Sequence, residues 1–294
     1  MCNLGGIRLD TTGPVNKRPH TVVITGATSG IGQVAAVRLA EHGARIVFVA
    51  RDPARAEALL TQLRTVNPRA EHSWHRADLS QIDAMRRVSD EIAAREEHID
   101  VLINNAGAVF MHRTRGANGL AATFTLNHLA YFVVTLRLLD RLRRTPGARI
   151  ICTASRAHRF VGFDFERLQA DGIRGYAMSK LCNLLFTRRL SQLLAGDDIS
   201  VNALHPGFVA TRFADNSGFV WRTLMRWRKA THGRTPEEGA RTIIFLAEAA
   251  EAAKQSGLYF VDCVPTEPST AARSDADAKR LWQLSSSLTG VDFA

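Results

Sequence analysis

Cysteine is scarce in this 294-residue chain, and the four present do not pair by spacing. Cys2, Cys152, Cys182 and Cys263 are scattered, with no C-x-x-C and no histidine nearby at metal-ligand distance. A disulfide scaffold and a zinc module are thereby excluded; the expectation is reduced thiols in a cytoplasmic protein with no metal site. Long apolar runs are also missing. No stretch reaches the roughly 18 to 20 uninterrupted apolar residues of a membrane span. The first twenty residues, MCNLGGIRLDTTGPVNKRPH, lack the apolar core of a secretory signal, and residues 1–19 read as a flexible lead-in. There is no internal repeat and no low-complexity linker. Hydrophobic residues at 46% and charged residues at 22% match ordinary globular usage, which excludes a disordered chain.

The formal net charge of +10 invites a nucleic-acid reading. A basic run with interleaved aromatics is absent, however. The arginines are spread through amphipathic helices, so no nucleic-acid partner is expected, and an anionic cofactor would use part of the excess.

What is present from residue 21 onward is alternation. Short apolar runs, TVVITG, ARIVFVA, IDVLINNAG, ARIICTAS, ISVNALHPG (199–207) and GLYFVDC (257–263), are separated by longer amphipathic ones. Six strands with intervening helices define an α/β chain: a single-domain, Rossmann-type, doubly wound parallel sheet with helices on both faces, spanning residues 20–294. The apolar residues of LAYFVVTLRLLDRLRR are the face that covers the sheet.

The first strand runs into TVVITGATSGIGQ, which sets Gly26, Gly30 and Gly32 between a strand and a helix. Glycines there allow a tight turn and close backbone approach, and the helix start offers free N–H groups to a pyrophosphate. Thr28, Ser29 and Ile31 belong to the same cradle. The second strand ends on Arg51-Asp52, nineteen residues after Gly32, with Arg55 one turn on. An acidic residue here favours the free ribose hydroxyl of NAD, and arginine accommodates the extra phosphate of NADP. Arginine comes first, which favours NADP(H), while Asp52 leaves NAD(H) open. Asp78-Leu79, following a third strand, sits where an adenine edge would be bound.

Tyr176 and Lys180, in GYAMSKLCNLLF, lie one turn apart on a helix face. A phenol with a pKa of about 10 exchanges protons poorly at neutral pH unless a positive charge stabilises its phenolate. Lys180 would supply that charge. By itself the spacing arises freely by chance.

Taken in order, TGATSGIG, NNAG (104–107), Asn127 in LNHLAYF, Ser155 in ICTAS, Tyr176-x-x-x-Lys180 and HPG (205–207) resemble the short-chain dehydrogenase/reductase family. RDPARAEA, NHLAYF, SRAHR, FDFERL, SKLCNLLFTRRL and GLYFVDCVPTEPS look like its retinol dehydrogenase-like branch. The resemblance implies Tyr176 as acid and base, Ser155 on the substrate oxygen, Lys180 on the nicotinamide ribose, and Asn127 ordering water that refills the proton at Lys180. It also implies cofactor contacts from Asn104, Asn105, Ala106 and Gly107, from Pro206 and Gly207, and from Val209 and Thr211. A homo-oligomer is the family's habit.

Phe213, Phe219, Trp221, Leu224, Met225 and Trp227 alternate with Arg222, Arg226, Arg228 and Lys229. The resemblance places a substrate lid near 211–235. A basic amphipathic helix there would admit a lipophilic alcohol, aldehyde or ketone and touch an anionic membrane surface; core packing or an oligomer contact accounts for the same aromatics. The chain shows no apolar anchor of the kind with which many membrane retinol dehydrogenases begin, so retinoid metabolism does not follow from the branch. Phe208 stands where protochlorophyllide reductases, which the region also resembles, place a cysteine. The expected function is an NADP(H)-dependent alcohol/carbonyl oxidoreductase; the alternatives are an NADP-binding sensor or scaffold and a double-bond reductase of the protochlorophyllide type.

Overall fold

The computed structural model describes residues 20–112, 114–116, 119–207 and 234–293. Strands β1 (Thr21–Thr25), β2 (Arg45–Ala50), β3 (Ser73–Arg76), β4 (Val101–Asn104), β5 (Ala148–Thr153), β6 (Ile199–His205), β7 (Tyr259–Val261) and β8 (Val264–Pro265) form one sheet in the order β3-β2-β1-β4-β5-β6-β7-β8. The first seven pair in parallel and β8 is antiparallel to β7. Two strands are therefore added to the six expected. SWHR, the strand ahead of Asp78-Leu79, is short and mostly polar, and β8 contains proline, so neither carries an apolar signature.

β1 lies between β2 and β4, so the chain reverses its direction of winding there. Ligands of such sheets bind beyond the carboxyl ends of the strands at this switch point. The register sets Thr25, Ala50, Asn104, Thr153 and His205 along that rim.

Alternate strand residues feed two cores, as a two-residue period requires. Ile24, Phe48, Ile103, Ile151 and Leu204 meet α1 (Gly30–Glu41), α2 (Pro53–Val66) and α7 (Pro236–Glu248). Val23, Val47, Leu102 and Ile150 meet α3 (Ile82–Arg95), α5 (Ala130–Arg143), α6 (Gly172–Leu193) and α9 (Asp275–Thr289). Two further helices among the described residues are short, α4 (Ala122–Phe124) and α8 (Ala250–Ala253). The helical run Ala122–Arg143 is apolar and long enough to cross a membrane by composition, but most of it is buried within the protein. Its apolarity is that of a core helix.

α9 closes over α5 and α6. Trp282 meets Phe132 edge-on at 5.0 Å and stacks on Phe186 at 5.8 Å, and Ser285 Oγ lies 3.0 Å from His128 Nε2. Trp282→Ala should therefore lower stability by about 3–5 kcal/mol. Urea unfolding measures it, and a loss under about 1 kcal/mol would mean that α9 is a marginal cover.

Candidate active site

β1 ends in Thr25, whose Oγ1 accepts the N–H groups of Asn105 and Ala106 at 3.0 and 3.1 Å. The turn that follows is packed against the end of β4. Gly26 has φ +69°, and a Cβ there would lie 2.8 Å from Ala106 Cα. A Cβ on Gly32 would collide with the Gly26 carbonyl oxygen and Asn105 Nδ2. Asn105 itself donates to the carbonyls of Thr25 and Gly26 at 3.3 and 3.1 Å, so it braces the turn. Ser29 is the N-cap of α1 but makes no capping bond, and the first turn of α1 holds no acidic residue. The N–H groups of Gly30, Ile31 and Gly32 thus begin a helix whose positive end is uncompensated, with Thr28 beside it. This cradle fits the pyrophosphate of a dinucleotide.

At the end of β2, Arg51 is exposed and Asp52 partly so. Asp52 caps α2: its Oδ1 accepts from the N–H groups of Ala54 and Arg55 at 3.0 and 3.3 Å, and Arg55 Nε lies 3.5 Å from Oδ2. Asp78 is exposed and folds its Oδ1 onto Ser80, while the Leu79 side chain is buried in the core, leaving the backbone of Leu79 at the rim.

Asn127 lies in a π turn, Thr125–Leu129, at the head of α5; such turns recur at functional sites. It is fully buried. Its Oδ1 accepts from Ala108 N at 2.9 Å, and its Nδ2 donates to Ala108 O at 2.9 Å and Ser179 Oγ at 3.0 Å. Gly107 faces Asn127 and Lys180 together: a Cβ on it would lie 3.2 Å from Asn127 Oδ1 and 3.5 Å from Lys180 Nζ.

Ser155 leaves β5 in extended conformation and caps the short 3₁₀ helix Arg156–Phe160, with Oγ accepting from Ala157 N at 3.2 Å. The Ser155 side chain also faces the Tyr176 phenol closely enough to favour its ionised form. Lys180 is 2% exposed; its Nζ donates to the Thr153 carbonyl at 2.9 Å and stands 5.7 Å from the ring centres of both Tyr131 and Tyr176. The structure thus brings Asn127, Ser155, Tyr176, Lys180 and Gly107 together, with Pro206 and Gly207 following β6 on the same rim. Val209 and Thr211, and nearly all of the 211–235 segment, lie outside the described residues. The Asn104 side chain points elsewhere: fully buried, it donates to Thr135 Oγ1 at 2.8 Å and ties β4 to α5.

The electrostatics differ from expectation in one respect. Although Tyr176 keeps some exposure, desolvation pushes its phenol up to about 12, and the Ser155 side chain opposes the rise. Burial also brings the Lys180 amine down to about 7, so it is only part-charged at neutral pH. The expected lowering of the phenol by Lys180 is not seen, and burial decides the direction.

Three residues of this arrangement escape sequence reading. Thr25 locks the glycine turn to β4; Ser179 accepts from Asn127 and donates to the Tyr176 carbonyl at 2.7 Å; and the Tyr131 ring lies against Lys180. Only Ser179 carried a hint, through its place beside Lys180 in YAMSK.

A phosphate cradle at the switch point with a serine, tyrosine and lysine on the same rim defines a dinucleotide-binding oxidoreductase. The family model described as short chain dehydrogenase matches residues 20–218. Retinol dehydrogenase 12 of Homo sapiens is 35% identical over 277 residues, covering 92% of this chain and 86% of the relative. Human retinol dehydrogenase 11 is 33% identical over 285 residues, covering 95% and 89%. An uncharacterized protein from Mycobacterium Paratuberculosis matches in structure with a TM-score of 0.74 at 29% identity, covering 94% of this chain and 95% of the other. The chain belongs to the short-chain dehydrogenase family, whose members bind a nicotinamide dinucleotide, and it is an oxidoreductase of that family with retinol dehydrogenases among its relatives.

Proposed function

We propose that the protein interconverts a lipophilic alcohol and its aldehyde or ketone in the cytoplasm, using NADP(H), with Tyr176 as acid and base. The observation that carries this reading is the convergence of Ser155 and Lys180 on Tyr176 from two different elements. A dinucleotide held at Gly26–Gly32 supplies or accepts the hydride. On reduction the substrate oxygen gains negative charge, and Tyr176 Oη gives it a proton. Ser155 Oγ, whose lone pair already takes Ala157 N–H, uses its own O–H to bond the same oxygen. Lys180, part-charged at neutral pH, stands beside the phenol, and Asn127 fixes the Ala108 backbone across the gap that Gly107 leaves.

The lipophilic substrate is supported by two exposed apolar side chains on the elements that carry Ser155 and Tyr176. Phe160 is 84% exposed five residues after Ser155, and Ile173 is 49% exposed one turn before Tyr176. The names of the relatives point the same way. The cytoplasmic setting is supported by Cys152 and Cys182, which are buried and outside any disulfide among the described residues.

NADP(H) is favoured because Asp52 spends its carboxylate on the α2 N-terminus while Arg51 stays exposed at the end of β2. Arg51→Asp should weaken NADPH binding roughly 10- to 100-fold, the loss of one charge-assisted contact, and leave NADH binding much less affected. Fluorescence titration reads both constants; equal losses would refute the cofactor preference. The function is tested by following NADPH and NADH consumption against aliphatic, aromatic, steroid and retinoid carbonyls. Silence across the whole panel sinks it.

A further inference from the structure

Directly after Ser155 the chain turns through five residues of 3₁₀ helix, a form with weak internal hydrogen bonds that needs outside support. His158, in the middle of this turn, is fully buried. Its Nδ1 lies 2.6 Å from the Ser155 carbonyl oxygen, and its Nε2 lies 3.1 Å from the backbone nitrogen of Ser269. A carbonyl only accepts and an amide N–H only donates, so one state of the ring satisfies both: neutral, with the proton on Nδ1. Burial holds the imidazole below its ordinary pKa, in keeping with that state. The Tyr259 ring meets the imidazole edge-on at 5.3 Å and fixes its plane. A parallel tie runs from the Arg159 guanidinium to the Glu267 carbonyl.

An apolar side chain would fill this space. It would not join the Ser155 carbonyl to Ser269, which stands at the start of the 3₁₀ helix Thr270–Arg273 just ahead of α9. We propose that His158 is a positioning residue for Ser155, bridging its carbonyl to the Ser269 N–H so that the Ser155 hydroxyl is held against Tyr176. This rests on the reading of Ser155 as the hydrogen-bond donor to the substrate oxygen. The segment from Glu267 to Arg273, remote in sequence, thereby becomes part of the support of the catalytic serine.

The test compares three variants. His158→Phe keeps the ring volume and loses both bonds; His158→Asn keeps a donor near Nδ1; His158→Gln keeps an acceptor near Nε2. With a carbonyl from the panel and NADPH, His158→Phe should lower kcat on the order of 10-fold or more at unchanged NADPH affinity. His158→Asn should recover most of that loss and His158→Gln should not. Hydrogen exchange on the free proteins supplies the second readout, in which His158→Phe should speed exchange both across Arg156–Phe160 and at Ser269. Unchanged kcat and exchange in His158→Phe would overturn the proposal, as would recovery by Gln rather than Asn. If His158→Phe does not fold, the Asn and Gln variants decide by the same readouts. Should the wild type turn over no carbonyl while exchange responds as described, the bridge stands and the catalytic reading fails.

Discussion

Tyr176→Phe should lower turnover by roughly 100- to 10,000-fold while nucleotide affinity and stability stay close to those of the wild type. The substitution keeps the ring and removes one oxygen. Ser155 retains its bond from Ala157 N, so the change in stability should stay within about 1 kcal/mol. The glycine cradle and Arg51 lie on other elements and should bind NADPH as before. A variant with more than a tenth of wild-type turnover would show that the phenol is not the acid. A wild type that binds nucleotide and reduces nothing would favour the sensor reading.

The same residue has a pH signature. Burial raises the phenol to about 12, so in the free protein it carries its proton across the neutral range. That suits an acid and handicaps a base. In the reducing direction kcat/KM should fall as pH rises from about 7 to 9, because Lys180 loses its charge while the phenol keeps its proton, and in the oxidising direction it should fall less or hold level, because that direction needs the deprotonated phenol and gains it as pH rises. Identical profiles in both directions would contradict the assignment.

Much of this was legible in the chain because the features that build the fold are local. Alternation of apolar runs with amphipathic ones is enough for a parallel sheet, and TVVITGATSGIGQ carries both strand and turn. The edge was not legible. GLYFVDC reads as a strand to residue 263, yet β7 stops at Val261, and Asp262 and Cys263 turn with φ of +55° and +65°. That turn usually announces itself with glycine or asparagine. Here tertiary contacts hold it: Cys263 N donates to Thr242 Oγ1 at 3.2 Å, and Asp262 pairs with Arg234.

At the site, residue types were legible and their partners were not. Asn104 and Asn105 are adjacent in NNAG, but strand alternation sends them to opposite faces. Asn104 reaches Thr135 on α5, and Asn105 braces the glycine turn. His158 looked like one basic residue among several in SRAHR; only the fold brings Ser269, 111 positions away, to its second nitrogen.

Lys180→Met should abolish most of the activity and make the protein more stable. The Lys180 amine is depressed from 10.5 to about 7, chiefly by burial. Between those values the unfolded chain carries a proton that the native protein lacks, so this residue's contribution to stability improves as pH rises from about 7 toward 10.5. At and below pH 7 the burial penalty is at its fullest, a few kcal/mol. Methionine keeps an unbranched apolar stem and removes the charge. Thr153 O loses one donor but keeps Asn183 Nδ2 at 3.3 Å. Urea unfolding should therefore find the variant more stable by a few kcal/mol at pH 7, with the margin shrinking as pH approaches 10. The buried Cys152 thiol is raised to about 12 even with the Lys180 charge opposing the rise, so losing that charge raises it further and it keeps its proton up to about pH 10 in both proteins. Turnover should fall on the order of 100-fold or more, because no cation remains beside the phenol. A variant less stable at pH 7, or a margin that ignores pH, would show that the lysine sits in the fold without strain; the expected result makes it a charge kept for catalysis at the expense of stability.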